Sequence, residues 1–386
     1  MVRDGSSTGR RAEIAGAGFA GLTAATALAQ RGWRVRVYEK SDVLREQGAG
    51  IVLWHNSLEV LRAIGAYDAV MERSMTPPYY ETRVHGNSVS REDFDGLAWR
   101  TLTRPYLYKC LLDAAVRAGA EILTGREVVS ADPVGALTLA TGEKVEADLV
   151  IGADGVKSAV RDSLGFGQER WKSRDGITRF LVPRHKAELG DGEWDNVIDF
   201  WNLEPRYMRV LYVPCNDEEL YVALGAPRAD KQASATPIDL DLWTSVFPQL
   251  APILEATLAA TDARYYGYQT TVVDRWRAGR VAIVGDAAHA MGPALAQGAG
   301  CAMSNAYTVA VAASEAEVDA IPAALEEWER LERPMTDRCQ RRSGAYAANR
   351  AMAKGNEFTI ENLETAMYDP TRPDRHAQAS MEGEIA

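Results

Sequence analysis

Residues 11–40, RAEIAGAGFAGLTAATALAQRGWRVRVYEK, form the stretch that decides the fold. The apolar run at 12–15 predicts a short strand, and the glycine-rich turn GAGFAG at 16–21 predicts the start of a helix. A second strand is predicted at 33–38, where apolar and basic residues alternate. Together these elements predict a βαβ unit, which begins an α/β domain with a parallel sheet.

The turn and the end of the second strand indicate a dinucleotide site. Gly16 permits the tight turn, Gly18 lets a pyrophosphate approach the backbone, and Gly21 lets the helix pack closely on the strand. The helix N-terminus then offers free N–H groups and the positive end of its dipole to phosphate. Glu39 follows Gly18 by 21 residues. A carboxylate there accepts hydrogen bonds from a ribose and repels a 2′-phosphate, which predicts FAD or NAD rather than NADP.

Length and charge limit the class of protein. The 386 residues suffice for two domains, and the fractions of hydrophobic (46%) and charged (25%) residues are those of a globular protein. The net charge is −11, from 43 basic and 54 acidic residues. Because no basic excess exists to neutralise phosphates, we expect neither nucleic acid nor an anionic membrane as a partner.

The cysteines and the chain start indicate a reducing compartment. Cys110, Cys215, Cys301 and Cys339 are scattered without a CxxC pair, so neither a metal site nor a disulfide framework is predicted. The first residues are polar, unlike a signal peptide, and no apolar run approaches the roughly 18 residues that span a bilayer. We therefore expect a cytoplasmic enzyme.

A change of pattern indicates a second domain inserted into the first. Alternating strands predicted at 197–201, 206–213 and 219–224 suggest an antiparallel meander, and one helix is predicted through 242–253. The chain is thus divided into a discontinuous nucleotide domain (10–75, 101–179 and 276–345), a substrate domain of sheet and helix (76–100 and 180–275), and a C-terminal helix with a polar tail (346–386).

Two further motifs follow apolar strands. Asp154-Gly155 ends one predicted strand and Gly285-Asp286 ends another, at the strand ends where ligands bind in open α/β sheets. Each of these motifs, like the glycine-rich turn at 16–21, is short enough to occur by chance. In this order and spacing, the three motifs resemble the FAD-dependent aromatic hydroxylases of the p-hydroxybenzoate hydroxylase fold, and the resemblance covers roughly residues 11–342.

This resemblance implies a set of FAD contacts. Glu39 would hold the ribose, Arg104 the ribityl and phosphate region, and Asp286 a ribityl hydroxyl. A helix beginning near Gln297 would direct its N-terminus at the edge of the flavin ring where negative charge gathers on reduction. The full set of implied cofactor residues is Gly16, Gly18, Phe19, Ala20, Gly21, Glu39, Lys40, Gly48, Ala49, Arg104, Val128, Asp154, Asp286, Pro293, Gly298, Ala299 and Gly300.

A narrower resemblance concerns the substrate. The stretches LWHNSLEVL (53–61), GEWDNVIDFWN (192–202) and PALAQGAGCAM (293–303) are similar to family members that open 3-hydroxypyridine carboxylates in vitamin B6 degradation. The resemblance implies 2-methyl-3-hydroxypyridine-5-carboxylate or 5-pyridoxate as substrate. Val52 departs from the tyrosine expected at its position, which leaves the exact substrate open. The implied substrate contacts are Val52, Tyr80, Arg209, Tyr221 and Pro293.

The residues by themselves leave their roles open. Arg209 alternates with apolar neighbours on a predicted strand, where it either binds a carboxylate or is solvated on an open sheet face. Tyr80 and Tyr221, taken by themselves, indicate core packing rather than a substrate contact, because tyrosine packs well on strands. His289 and Cys301 are interpreted as structural. The resemblance favours substrate contacts for Arg209 and the two tyrosines.

The expected reaction needs no acid–base pair from the protein, since the cofactor carries the chemistry. In such hydroxylases NADH or NADPH reduces the flavin, O2 adds at C4a, and the hydroperoxide transfers oxygen to an electron-rich ring. The alternatives are hydroxylation of another phenolic or N-heteroaromatic acid without ring cleavage, a flavin-dependent NAD(P)H oxidoreductase that does not use O2 productively, and a flavin-binding protein without catalysis. A homo-oligomer is possible.

Overall fold

The fold is described from a computed structural model of the chain. It covers residues 9–44, 48–190, 192–260, 263–349 and 363–372. Most of the predicted C-terminal helix and tail therefore lies outside the described residues.

The predicted βαβ unit is confirmed. Strands β1 (Arg11–Ala15) and β2 (Arg34–Tyr38) pair in parallel and are joined by helix α1 (Phe19–Ala29). Gly16 adopts φ +97°, and a Cβ on it would lie 2.4 Å from the carbonyl oxygen of Ala153. Only glycine therefore fits this turn without displacing the neighbouring strand end.

The unit lies in a six-stranded sheet in which only one edge strand is antiparallel. The order is β17-β18-β11-β1-β2-β7. Because β1, β11 and β18 are adjacent and parallel, the loops at their carboxyl ends meet at one edge of the sheet. The remaining strands of this sheet are β7 (Glu121–Leu123), β11 (Leu149–Gly152), β17 (Arg277–Ala278) and β18 (Val281–Ile283).

Helices cover this sheet and the junction beside it. The helix predicted from Gln297 is confirmed, since Gln297 immediately precedes its first residue. Pro105 lies in the first turn of another, where its missing N–H costs nothing. Together with α1 these helices are α2 (His55–Ala63), α3 (Tyr67–Glu72), α4 (Arg104–Arg117), α5 (Ala159–Ser163), α9 (Asp286–His289), α10 (Gly298–Glu315), α11 (Ile321–Asn349) and α12 (Glu364–Met367).

The second sheet has seven strands and confirms the predicted meander. Its order is β16-β12-β15-β14-β13-β4-β5, antiparallel throughout except for the parallel pair β13 and β4. One face packs on helices through apolar side chains such as Phe200, Val210 and Val222. The strands are β4 (Tyr80–Val84), β5 (Asn87–Glu92), β12 (Gln168–Pro183), β13 (Val197–Asn202), β14 (Met208–Pro214), β15 (Glu219–Pro227) and β16 (Tyr265–Val273).

The single helix predicted over 242–253 is wrong. The structure has two helices, α7 (Leu240–Val246) and α8 (Ala251–Ala256), separated by a 3₁₀ turn that Pro248 begins. Proline disfavours helical backbone in the residue before it and lacks the N–H of the helical ladder, so the helix ends there. A further short helix, α6 (Lys186–Leu189), precedes β13.

The predicted domain boundary at residue 180 falls inside β12. This strand pairs with β15 and β16 from its start at Gln168. The division into domains stays a prediction, and the strand pairing leads us to propose the boundary before Gln168.

Two small sheets complete the described fold. An aromatic core lies where the two large sheets meet. In it Trp54 stacks on Trp99, and Phe94 packs edge-to-face against both. Among the described residues, no helix combines the length and apolar character needed to cross a bilayer. The small sheets consist of β3 (Gly50–Trp54) with β6 (Trp99–Thr103), and of β8 (Val128–Asp132), β9 (Ala136–Leu139) and β10 (Lys144–Glu146).

Candidate active site

A cavity of about 520 Å³ lies between the two large sheets. On one side are residues from the loops at the carboxyl ends of the parallel sheet, including Gly18 and Asp286. On the other are side chains from the sheet face opposite the helices, including Arg209, Leu211 and Tyr221. A large cavity with a few convergent polar groups is the usual form of a small-molecule site. Sheet topology alone brings these distant segments together.

The cavity unites many of the residues predicted from sequence. Every one of these residues is in the described part of the chain. The predicted substrate contacts in its wall are Val52, Arg209, Tyr221 and Pro293, and the predicted cofactor contacts are Gly18, Phe19, Ala20, Arg104, Asp286, Pro293, Gly298 and Ala299.

The other predicted residues lie behind or beside this wall. Lys40 is exposed, and Val128 is buried at the start of β8. Tyr80 is buried and contacts Asp199 instead. The remaining residues outside the wall are Gly16, Gly21, Glu39, Gly48, Ala49, Asp154 and Gly300. Their assignment to the cofactor, like that of the residues in the wall, stays a prediction.

The glycine loop has the shape that a dinucleotide needs. A Cβ on Gly18 would meet no atom within 4 Å, so the space beside its backbone is open. Glu39 accepts hydrogen bonds from the backbone N–H groups of Ala17 (3.1 Å) and Ser41 (3.0 Å), which fixes its carboxylate beside the loop. These features fit the pyrophosphate and ribose of FAD, with Gly18 giving room and Glu39 accepting the ribose hydroxyls.

Opposite charges meet farther along the cavity. Asp286 lines the cavity, into which its side chain is accessible, and desolvation by the surrounding protein raises its pKa, although the charges of Arg104 and Arg179 act to lower it. Burial, together with the like charge of Arg179, lowers the pKa of Arg104, while Asp286 acts to raise it. The Arg104 guanidinium also lies 4.8 Å from the centre of the Phe19 ring. Arg104 and Asp286 are thus the charged groups that this part of the wall would offer to an FAD chain, as the sequence predicts.

Buried hydrogen bonds hold the loops in place. Asp154 accepts from the Ser158 hydroxyl and from the Val160 N–H. Arg161, fully buried, donates to the carbonyl oxygens of Val156 and Ala287, each at 3.0 Å. Arg161 therefore connects the loop after β11 to helix α9. Because Asp154-Gly155 lies in that loop and Gly285-Asp286 begins that helix, the contact gives both motifs a structural role.

The substrate side contains a buried ion pair that the sequence analysis missed. Arg209 donates to Asp199 from Nε (2.6 Å) and Nη2 (3.0 Å), and the Tyr80 hydroxyl donates to Asp199 Oδ2 (2.8 Å). Burial acts to lower the pKa of Arg209, but the Asp199 carboxylate raises it overall. Arg209 is therefore neither solvated nor a free cation, since its charge already has a partner.

Tyr221 and Val52 form a less polar part of the wall. A Cβ on Gly50 would lie 2.4 Å from the Tyr221 Cβ, so the tyrosine packs directly on the backbone of β3. Val52 follows on the same strand, half-buried. The polar groups of this region thus sit beside a rigid apolar surface that suits an aromatic ring.

The cavity wall also includes residues that were not predicted as functional, among them Arg179 and Tyr268. Arg179 lies on β12 and Tyr268 on β16. The sequence signal for Arg179 was an arginine directly before the apolar run FLV (180–182), and for Asp199 an acid within VIDFW (197–201). A charge in a buried strand needs a partner or a ligand. Neither signal identifies the partner.

His289 and Cys301 are both buried. The Asn305 amide nitrogen lies 3.1 Å from His289 Nε2, and burial lowers the pKa of this histidine to about 4. A hydrogen bond to Cys339 and burial raise the pKa of the Cys301 thiol. Neither is in the cavity wall, which agrees with the structural interpretation.

Comparison with known proteins identifies the class. The profile of the FAD binding domain family matches residues 11–343. A solved structure, the tetrameric form of 2-methyl-3-hydroxypyridine-5-carboxylic acid oxygenase, is 57% identical with a TM-score of 0.91, covering 94% of this chain and 97% of that one.

Curated relatives are more distant. A 2-heptyl-3-hydroxy-4(1H)-quinolone synthase of Mycobacteroides abscessus is 38% identical over 334 residues, 85% of this chain and 88% of the relative. A 6-hydroxynicotinate 3-monooxygenase of Bordetella bronchiseptica is 30% identical over 310 residues, 77% of this chain and 80% of the relative.

The parallel sheet, the glycine loop and the cavity define a flavin-dependent oxidoreductase of the p-hydroxybenzoate hydroxylase fold. The chain belongs to the FAD binding domain family and is an FAD-dependent aromatic monooxygenase that uses NAD(P)H and O2.

Proposed function

We propose that this enzyme hydroxylates, and also opens, the ring of a 3-hydroxypyridine carboxylic acid, either 2-methyl-3-hydroxypyridine-5-carboxylate or 5-pyridoxate. The observation that carries the proposal is the 57% identity to the hydroxypyridine carboxylic acid oxygenase, maintained over 94% of the chain. Identity at that level extends well beyond the cofactor motifs into the substrate-facing sheet.

The cavity supports this choice chemically. FAD, when bound, supplies the oxygen activation, with NAD(P)H as the reductant. The protein positions the ring: Val52 and Pro293 offer apolar contact, and the Tyr221 hydroxyl can hydrogen-bond a ring substituent. The Asp199–Arg209 pair forms a rigid polar wall. Enclosure between two sheets limits the access of water.

A quinolone is the second candidate, because relatives at 36% to 38% identity are named quinolone synthases. The guanidinium groups in the cavity wall favour a carboxylated ring over a neutral ring with an alkyl chain. Hydroxylation without ring cleavage also stays open within the proposal.

The test is NADH or NADPH consumption by FAD-loaded enzyme in air, with product masses recorded. The compounds are 2-methyl-3-hydroxypyridine-5-carboxylate, 5-pyridoxate, 6-hydroxynicotinate and 2-heptyl-4(1H)-quinolone. We expect a 3-hydroxypyridine acid to stimulate oxidation most, with a product that gains two oxygen atoms and loses the ring absorbance. Gain of one oxygen with the ring intact would limit the reaction to hydroxylation. Stimulation by the quinolone alone would overturn the proposal.

We further propose that the protein is a homo-oligomer, because a relative of nearly equal length is described as tetrameric. Light scattering after size exclusion at several protein concentrations tests this, and a monomer throughout would contradict it. The cytoplasmic location stays a prediction.

A further inference from the structure

Arg179 lies on β12, next to the edge strand β16 of the sheet that faces the substrate side of the cavity. In the strand register it is opposite Ala223 on β15, which is opposite Leu211 on β14. These three residues therefore form one row across the same face of the sheet, and all three are in the cavity wall. The neighbouring row contains Ile177 and Arg209.

The charges of the cavity wall are not balanced. Arg209 is paired with Asp199, both nearly fully buried. Asp286 is the carboxylate in the wall whose charge acts on both Arg104 and Arg179. Within the described part of the chain, Arg179 makes no ion pair with a carboxylate, and its Nε is buried without a hydrogen-bond partner. Its guanidinium lies 5.8 Å from the centre of the Tyr266 ring, but this neutral ring does not supply the counter-charge that a carboxylate would.

A buried donor without an acceptor is costly, and a ligand anion would satisfy it. Because Arg209 already uses Nε and Nη2 for Asp199, an incoming carboxylate there would also approach the Asp199 charge. Arg179 holds no carboxylate in an ion pair among the described residues, although the charge of Asp286 acts on it, and its guanidinium fork is available for a bidentate contact.

We propose that Arg179 binds the carboxylate of the substrate, and that the Arg209–Asp199 pair acts as a neutral wall rather than as the anion site. This assignment rests on the proposed function, because it assumes a carboxylated aromatic substrate. The location of Arg179 on the sheet that bears Tyr221 and Arg209, not on the glycine loop, favours the substrate over a cofactor phosphate.

The test compares two ligands that differ only in the presence of the carboxylate group. Oxidised, FAD-loaded enzyme is titrated with 2-methyl-3-hydroxypyridine-5-carboxylate and with 2-methyl-3-hydroxypyridine, and binding is followed by the flavin absorbance spectrum. For Arg179→Gln we expect the Kd of the carboxylate to rise at least about tenfold, and the Kd of the uncharged ligand to stay within about twofold. Arg179→Lys should recover part of the loss.

Arg174→Gln is the matched control, since it is the same change on the same strand at a side chain that is 80% exposed. It should bind both ligands as the wild type does. The FAD affinity of Arg179→Gln should also be unchanged when measured by flavin fluorescence.

Four results would overturn the assignment. They are an equal loss for both ligands, a loss of FAD affinity alone, unchanged binding in Arg179→Gln, and a carboxylate-selective loss in Arg209→Gln but not in Arg179→Gln. If wild-type enzyme binds neither hydroxypyridine, the proposed function falls, and the assignment of Arg179 falls with it. The wild type thus tests the function, and the variants test the residue.

Discussion

A buried arginine can bind a ligand only through the charge and the N–H donors that no partner within the protein already uses. Arg209 illustrates this, because the strand pattern allowed either a substrate contact or a solvated side chain. The structure shows a bidentate pair with Asp199, which Tyr80 also joins. Arg209 and Asp199 lie on neighbouring strands, β14 and β13. Sequence pattern identifies the charged residue but not the partner that neutralises it.

At this scale we predict that Asp199→Leu destabilises the protein by roughly 3–5 kcal/mol, because it leaves the Arg209 charge buried without a partner. The double variant Asp199→Leu with Arg209→Met should recover most of that loss, since an apolar pair needs no desolvation. Urea unfolding of the FAD-free proteins measures both values. Asp113→Leu, which breaks the exposed pair with Lys109, is the control and should cost less than about 1 kcal/mol. A double variant no more stable than Asp199→Leu would contradict the argument.

At the scale of elements, close contacts between a loop and its neighbours decide which residue each position of a binding motif accepts. The turn between β1 and α1 contains two glycines with different roles. Gly16 needs positive φ and packs on Ala153, whereas Gly18 has an ordinary φ of −79° and open space beside it. The first glycine is required by the fold, whereas the second is predicted to be required by the ligand.

We therefore predict opposite outcomes for two alanine substitutions. Gly16→Ala should destabilise the FAD-free protein by roughly 2 kcal/mol or more, because of backbone strain and the contact with the Ala153 carbonyl. Gly18→Ala should leave that stability within about 0.5 kcal/mol but weaken FAD binding at least about tenfold. Thermal unfolding and flavin fluorescence titration measure the two effects. Normal FAD affinity in Gly18→Ala would show that the pyrophosphate does not approach this glycine.

Three helices meet at a neutral histidine. His289 on α9 faces Asn305 on α10, whose amide also donates to Thr336 on α11 at 3.0 Å. Because the amide nitrogen is a donor, His289 Nε2 accepts, and the proton sits on Nδ1. Burial keeps this imidazole uncharged, so the contact joins the helices without a buried charge.

This contact predicts an acid-sensitive fold. The folded-state pKa of His289, about 4, is below the usual value of 6.5. Between these two pH values His289 is protonated in the unfolded chain but not in the folded one. Stability is therefore complete above about pH 6.5 and falls as the pH decreases toward 4, by roughly 3 kcal/mol in all. His289→Asn should show a shallower decrease than the wild type when unfolding is measured across this range. Parallel curves for the two proteins would exclude His289 as the cause.

At the scale of the whole molecule, the site exists only because two sheets face one another. Loops from the parallel sheet and side chains from the antiparallel sheet share one cavity of about 520 Å³. Neither sheet encloses it alone. A cofactor held by the predicted contacts would join the loops of the first sheet to the face of the second, so its binding should stabilise both together.

We predict that FAD removal lowers the melting temperature of the protein and that added FAD restores it in a concentration-dependent way. At a free FAD concentration of 100 times Kd, the gain should be about 2.7 kcal/mol. Scanning calorimetry of the FAD-free protein with increasing FAD measures this, with the Gly18→Ala variant as the control that should need more FAD for the same gain. A melting temperature independent of FAD would contradict the assignment of the cavity.

The sequence by itself determined the βαβ unit, the glycine loop, Glu39 and the meander, because these depend on local periodicity and on glycines whose backbone geometry is set within a few residues. The break at Pro248 was also present in the sequence as a local signal that the predicted helix overlooked. Tertiary structure alone decided that β12 belongs to the second sheet from Gln168 and that Asp199 neutralises Arg209. The last of these depends on strand register and on the desolvation of two charges, quantities that arise only when distant segments pack together.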